Sequence, residues 1–226
     1  MKFPLVAIRP EPGLSATVGR AREMGLEVTG HPLSKAVPCD WQLPDSLGFD
    51  GLLVGSANVF RHGGEQLKNL QHLPVFAVGE VTAQEARAAG FVVTVEGQGG
   101  LQQILDMLDE TPRHLLRLSG EAHVPLKTPR HIQLTEIITY RVQHVPIYKE
   151  LSESLNTGAC VLLHSAGAAE HLAQEVEQLG IARQNIKIAA LGPRIANAVG
   201  TGWGKVESAN QPNDAQLLAL ARDMCQ

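Results

Sequence analysis

Ser56-Ala57-Asn58 and Ser165-Ala166-Gly167 stand 109 residues apart, each between an apolar run and a stretch with helical periodicity. A second pair repeats the arrangement 113 residues apart: Gly79-Glu80-Val81-Thr82 and Gly192-Pro193-Arg194-Ile195. Small residues at the end of a strand let a ligand approach the backbone closely. The helix that follows offers unpaired N–H groups and the positive end of its dipole, so carboxylates and phosphates are favoured there. Each such interaction is worth only about 0.3–1 kcal/mol at an exposed site, so several loops would have to act on one polyanion. The loops also have a plain structural use. Ser56, Ser165 and Thr82 are good helix caps, and Pro193 suits the first position of a helix. Arg194 would supply a charge where Pro193 has no N–H to donate.

Tyr140 is one of only two tyrosines. It closes the apolar run EIITY just before a Pro-containing segment, where it would face a gap between two domains. A phenol there could donate a proton to a leaving oxygen, or cover a hinge with an amphipathic ring. Other chemistry finds no support. There is no GxGxxG or GxxxxGK[ST] for nucleotides, no HExxH for a metal and no GxSxG nucleophile elbow. Cys39, Cys160 and Cys225 are far apart and form no zinc spacing. The nine histidines are scattered, and His164 and Ser165, being neighbours on a strand, would point to opposite faces.

These loops need a scaffold, and the chain supplies one twice. Short apolar runs at 5–9, 52–56, 75–79, 91–96, 115–119, 136–142, 161–165 and 188–192 read as strands buried on both faces. Helical patterns at 16–25, 82–90, 100–110, 168–180 and 214–224 carry apolar residues at i, i+3 and i+4. Gly25, Gly90 and Gly180 stand where a helix C′ glycine belongs. Strand–helix alternation predicts an α/β fold with parallel sheets. Residues 52–108 match residues 161–221, and the Pro-containing, extended segments 30–38 and 143–149 bracket the first repeat. The spacing predicts one domain inserted in another, with boundaries at 1–36 plus 146–226 and at 37–145. Two crossing linkers would let a cleft between them open and close.

Composition narrows the partners. A formal charge of −4 over 226 residues, with two Trp, two Tyr and five Phe, argues against nucleic acid. No run approaches a membrane span or a signal peptide. An odd cysteine count without a framework fits a reducing cytoplasm. The same features leave open a two-lobed anion-binding or regulatory module without catalysis.

In order and spacing, several segments resemble the uroporphyrinogen-III synthase family. They are the first strand ending in Arg9-Pro10, GLLVGSANVF (51–60), VFAVGEVTAQEARAAGF (75–91), IITYRV (137–142), VLLHSAGAAEHL (161–172) and AALGPRIANAV (189–199). The resemblance implies two similar flavodoxin-like α/β domains with parallel sheets, one inserted in the other, joined by a two-stranded linker. It implies a cytoplasmic, monomeric lyase without metal or cofactor that converts hydroxymethylbilane to uroporphyrinogen III, losing water and inverting ring D. By this resemblance Tyr140 is the expected catalytic residue. Arg9, Ser56, Ala57, Asn58, Gly79, Thr82, Ser165, Ala166, Gly192 and Arg194 are expected to bind substrate in the cleft. The chain departs from the family in three places. Ile195 stands where many members have Thr, and His164 stands where Thr or Ser is usual. Leu118-Ser119-Gly120-Glu121 is a loose version of an Arg-Gly loop, with Arg117 displaced.

Overall fold

The computed structural model describes residues 3–43 and 48–225. In the first half of the chain run β1 (Leu5–Ala7), α1 (Gly13–Glu23), β2 (Val28–Gly30), β3 (Ser34–Pro38), β4 (Gly51–Val54) and α2 (Asn58–His62). They are followed by β5 (Val75–Val78), α3 (Glu80–Ala88), β6 (Val93–Gly97) and α4 (Leu101–Met107). The second half holds β7 (Arg113–Gly120), β8 (Ile132–His144), α5 (Lys149–Thr157), β9 (Ala159–Leu163), α6 (Ala166–Gln178), β10 (Ile186–Ala190), α7 (Pro193–Ala198), β11 (Lys205–Ser208) and α8 (Asp214–Met224).

These elements form two compact units. Unit 1 comprises residues 1–35 and 144–226, and unit 2 comprises residues 36–143. Unit 1 is built on a five-stranded sheet in the order β11-β10-β9-β1-β2, parallel throughout. Counted along the chain within the unit, that order is 2-1-3-4-5, the flavodoxin-like arrangement. Unit 2 is built on a six-stranded sheet in the order β3-β8-β7-β4-β5-β6. Its run from β8 to β6 is parallel. The same 2-1-3-4-5 pattern appears there once β7 and β8 take the places of β1 and β2, and β4, β5 and β6 those of β9, β10 and β11. Each sheet is therefore completed by an exchange. The first two strands of each half join the last three strands of the other.

The strands are apolar because both faces are covered. In unit 1, Val6, Val161 and Ile188 pack under Leu151 and Leu155 of α5 and Leu172 and Val176 of α6. The alternate residues Leu5, Ala7, Cys160 and Leu162 pack under Leu14 and Ala21 of α1 and Leu217, Leu218 and Ala221 of α8. In unit 2, Leu52, Val54, Ala77 and Leu116 meet Val59 of α2 and Ala83 and Ala86 of α3. On its opposite face Leu53, Phe76 and Leu115 meet Ile104 and Leu105 of α4, with Leu101, Leu108 and Leu126 packed at the margin. No helix joins β7 to β8, so this face lacks the counterpart of α1.

Helices α1, α3 and α6 stop in the same way. Gly25, Gly90 and Gly180 have φ of 70, 88 and 64°. The amide of the next residue reaches back to the carbonyl of Ala21, Ala86 or Val176. These are Schellman closures, in which glycine carries the left-handed turn without a Cβ penalty. Several elements differ from those the sequence predicts, α1 beginning at Gly13 rather than 16 and Ala57, not Ser56, standing at the N-cap of α2. β8 begins at Ile132 rather than 136. Lys149 and the residues after it form α5, whose only buried residues are Leu151 and Leu155, too sparse a stripe to read as a helix. Thr82 is not a cap: Gly79 occupies that position and Thr82 lies buried in the first turn of α3.

The exchange between halves makes a sharp prediction. A fragment of residues 36–143 retains all the strands from β4 to β8, and should show a cooperative urea transition by circular dichroism. A fragment of residues 1–110 keeps β2 beside β1 and β5 beside β4 but lacks β9 and β7, the partners that complete each sheet, and should show none.

Candidate active site

In open parallel sheets, ligands bind beyond the carboxyl ends of the strands where the winding direction reverses. Unit 1 reverses between β1 and β9, and unit 2 between β7 and β4. The two crevices have equivalent frames. His164 follows β9 as Gly55 follows β4, and Asp214 opens α8 as Leu101 opens α4. By strand register, Arg9 follows β1 at the place that Ser119 occupies on β7. The side chains make them opposites.

In unit 1 the crevice is filled by a polar cluster. Arg9 Nη1 donates to Thr17 Oγ1 at 3.1 Å and to Asp214 Oδ1 at 3.3 Å. Thr17 donates to Asp214 Oδ2 at 2.7 Å. His164 Nε2 lies 3.1 Å from Asp214 Oδ1; an ionised carboxylate only accepts, so this nitrogen carries the proton. The His164 side chain is only 6% exposed, and its Nδ1 has no partner among the described residues. A Cβ at Gly13 would fall 2.5 Å from Arg9 Nε, so a larger residue there would make the guanidinium shift from its partners. Burial alone would raise the pKa of Asp214. Hydrogen bonds from His164 and Thr17, together with the His164 and Arg9 charges, outweigh it and hold the carboxyl at about 2.

In unit 2 the corresponding place is a cavity of about 650 Å³, lined by Ser56, Arg117, Ser119, His123, Lys127 and Tyr140. The loop after β7 closes over it. Arg117, 3% exposed, donates to Glu136 and to the Val124 carbonyl at 2.8 Å. Gln102 at the start of α4 clasps the backbone of Lys127, accepting from its N–H at 2.8 Å and donating to its carbonyl at 2.9 Å. The Ser119 hydroxyl and Arg117 Nε are buried without a partner among the described residues. Tyr140 is 8% exposed and lies against Gly120, where a Cβ would come within 2.6 Å of the ring. Two hydroxyls, a phenol and three basic side chains around one hollow suit an anionic ligand that must also be protonated.

The eleven residues singled out in the sequence thus separate. Ser56 and Tyr140 share the cavity of unit 2. Ala57, Asn58, Gly79 and Thr82 lie in the same unit but do not line it. Arg9, Ser165, Ala166, Gly192 and Arg194 belong to unit 1. Ser165 caps α6, its hydroxyl accepting from the Ala168 amide at 3.2 Å, and Gly192 is the N-cap of α7. Arg194 is exposed, while Ile195 is buried in the core of unit 1. Thr82 holds the same third helical position in α3 and is likewise buried. An apolar side chain at this position therefore packs rather than deprives a surface of a hydroxyl. His123 and Lys127 escape a reading of local motifs, because they lie in the connection between β7 and β8, which has no periodic pattern; Ser119 enters that reading only within the loose loop motif 118–121.

A family model described as uroporphyrinogen-III synthase HemD matches residues 15–219. The chain belongs to the uroporphyrinogen-III synthase family. Among solved structures, it is similar to the uroporphyrinogen-III synthetase of Helicobacter pylori 26695. The TM-score is 0.68 at 17% identity, over 99% of this chain and 100% of that one. A mutant uroporphyrinogen III synthase from the extremely thermophilic bacterium Thermus thermophilus gives a TM-score of 0.52 at 17% identity, over 98% of both chains. At that identity the likeness bears on the fold, and it agrees with two α/β domains of parallel strands. No curated protein sequence matches the chain. Among the described residues no helix is long and apolar enough to cross a membrane, and no group of three or more His, Cys, Asp or Glu is arranged to hold a metal ion.

The depressed Asp214 carboxyl makes stability depend on pH. Its folded value of about 2 lies below the ordinary 3.8, so its contribution is fully present above pH 4 and is lost as pH falls toward 2. The shift corresponds to about 2 kcal/mol at neutral pH. Asp214→Asn should therefore destabilise the protein by an amount of that order in urea unfolding at pH 7, and the gap to wild type should narrow clearly by pH 3.

Proposed function

We propose that this chain is a uroporphyrinogen-III synthase acting on hydroxymethylbilane, and that the cavity of unit 2 receives the reacting end of the bilane. The observation that carries this reading is a phenol and unpartnered polar groups around one hollow, in a chain of this family. Acetate and propionate side chains of the bilane would find His123, Lys127, Ser56 and Ser119, with Arg117 held behind them by Glu136 and the Val124 carbonyl. Tyr140 would stand at the hydroxymethyl group as proton donor.

The chemistry asks little covalent work of the protein. Tyr140 donates its proton to the hydroxymethyl oxygen, the C–O bond breaks and water leaves, giving a delocalised pyrrole cation on ring A. The substituted carbon of ring D supplies the electron pair that captures this cation, forming a spiro intermediate. That intermediate fragments and recloses with ring D inverted. A proton is then lost from carbon as aromaticity returns, and the tyrosinate is reprotonated. One water is released and no redox change occurs. The bilane closes unaided to the uninverted isomer, so the protein must favour one conformer, a task of orientation. Donors held in a buried site do this best, because they need no reorganisation when charge develops.

Incubation of the protein with hydroxymethylbilane, followed by oxidation and chromatographic separation of the isomers, should give predominantly isomer III. Isomer I alone at the spontaneous rate would exclude the assignment. Tyr140→Phe should lower kcat by on the order of ten- to a hundredfold, toward the low end of general-acid effects because the leaving group is already labile, with the urea midpoint little changed. Gly120→Ala, which pushes the Tyr140 ring out of place, should lower kcat in the same direction; full activity in both variants would remove Tyr140 from the reaction.

A further inference from the structure

Two cysteines that the proposed chemistry does not use meet at one corner of unit 1. Cys160 lies on β9 and is fully buried. Its neighbours across the sheet are Leu5 on β1 and Lys187 on β10. Cys225 caps the C-terminus of α8 and belongs to the same core cluster as Cys160 and Leu5. Lys187 ties the corner together: its ammonium donates to the Met224 carbonyl at 2.6 Å and stands 4.1 Å from the centre of the Phe3 ring. A cation is thus fixed between the strand that faces Cys160 and the residue preceding Cys225. Cys225 also lines a separate cavity of about 760 Å³, bounded by Phe3, Leu5 and Leu26 and by the charged Glu27 and Arg222. One thiol therefore borders a hollow and the other lies behind it.

We propose that Cys160 and Cys225 form an oxidisable dithiol, reached by hydroperoxides and other small electrophiles through this cavity, that closes to a disulfide between β9 and the end of α8. The electrostatics agree. A hydrogen bond from Cys160 lowers the Cys225 thiol to about 7, burial opposes this and the Lys187 charge assists it. The same bond, with burial, pushes Cys160 up. The thiolate is the reactive form, and a neighbouring lysine is an established way to favour it. In the first step the Cys225 sulfur attacks the distal oxygen of a hydroperoxide. The O–O bond breaks, the alcohol leaves with a proton, and Cys225 becomes a sulfenic acid. In the second step the Cys160 sulfur attacks the Cys225 sulfur. The S–O bond breaks and hydroxide departs as water with the Cys160 proton. Two thiols and one hydroperoxide become one disulfide, one alcohol and one water.

The test uses the full chain, treated with hydrogen peroxide, quenched with N-ethylmaleimide in denaturant and mapped by peptide mass spectrometry. The expected result is loss of two hydrogens and a linked Cys160–Cys225 peptide, with Cys39 still alkylated. In Cys160→Ala the second step is blocked, and a sulfenic acid trapped by dimedone should accumulate on Cys225. Iodoacetamide alkylation of native Cys225 should rise with a midpoint near pH 7. In Lys187→Met that midpoint should move toward the ordinary thiol value of about 8.5. Recovery of Cys160 and Cys225 as unlinked alkylated thiols after peroxide, or oxidation of Cys39 in preference to them, would overturn the proposal. The wild-type map decides the matter even if a variant fails to fold.

Discussion

Both sheets depend on a ladder between strands from opposite halves of the chain. Leu5 of β1 pairs with Cys160 of β9, and Leu52 of β4 pairs with Leu116 of β7. All four are central in their sheets, and their inner residues are buried. Without the cross-half pairing, each half would own a two-strand piece and a three-strand piece with open edges and uncovered faces, which parallel strands do not tolerate. The same ladders create the two places where winding reverses, so the crevices that can hold chemistry follow from the pairing itself.

The crevices show how a duplicated frame diverges. One carries Arg9, His164 and Asp214 and is closed by their mutual hydrogen bonds. The other carries Ser119, Gly55 and Leu101 at the equivalent places and stays hollow. A Cβ at position 55 would lie 3.1 Å from the Leu101 side chain, which borders the same hollow. The absent helix between β7 and β8 leaves room that α1 fills in unit 1, and a loop held by Arg117 and Gln102 takes its place. Buried ion clusters add little net stability compared with apolar packing. Their effect in unit 1 is to fix geometry, whereas in unit 2 the unpartnered groups remain available.

Much of the scaffold is legible in the chain because its physics is local. Strands buried on both faces leave continuous apolar runs, and the glycines that end α1, α3 and α6 mark left-handed turns at fixed offsets from their helices. Helix α5 is not legible, since only Leu151 and Leu155 signal its buried stripe. Which strand lies beside which is also hidden, because parallel pairing is set by crossovers and leaves no trace in hydrophobic period. The site divides along the same line. Tyr140 draws notice by rarity and by its place on a strand. Arg9 reads as an arginine free to meet a ligand, while its partner Asp214, 205 residues away, gives no local hint. At position 195 the sequence suggests a lost hydroxyl, yet burial decides the residue there.

The exchange of strands also imposes an order on biosynthesis. Domains form as units while the chain is being made, earlier segments first. Here β1, α1 and β2 are made early, but the β1–β2 pair cannot join the rest of its sheet until β9 has been made. The sheet of unit 2 is complete once β8 has emerged, so the inserted unit can fold while the N-terminal segment is still waiting. Closing unit 1 then requires contacts across most of the chain length, the kind of long-range pairing that forms slowly. β1 and β2 would be among the last strands to settle, and the period in which they stand uncovered is set by the time needed to synthesise the second half.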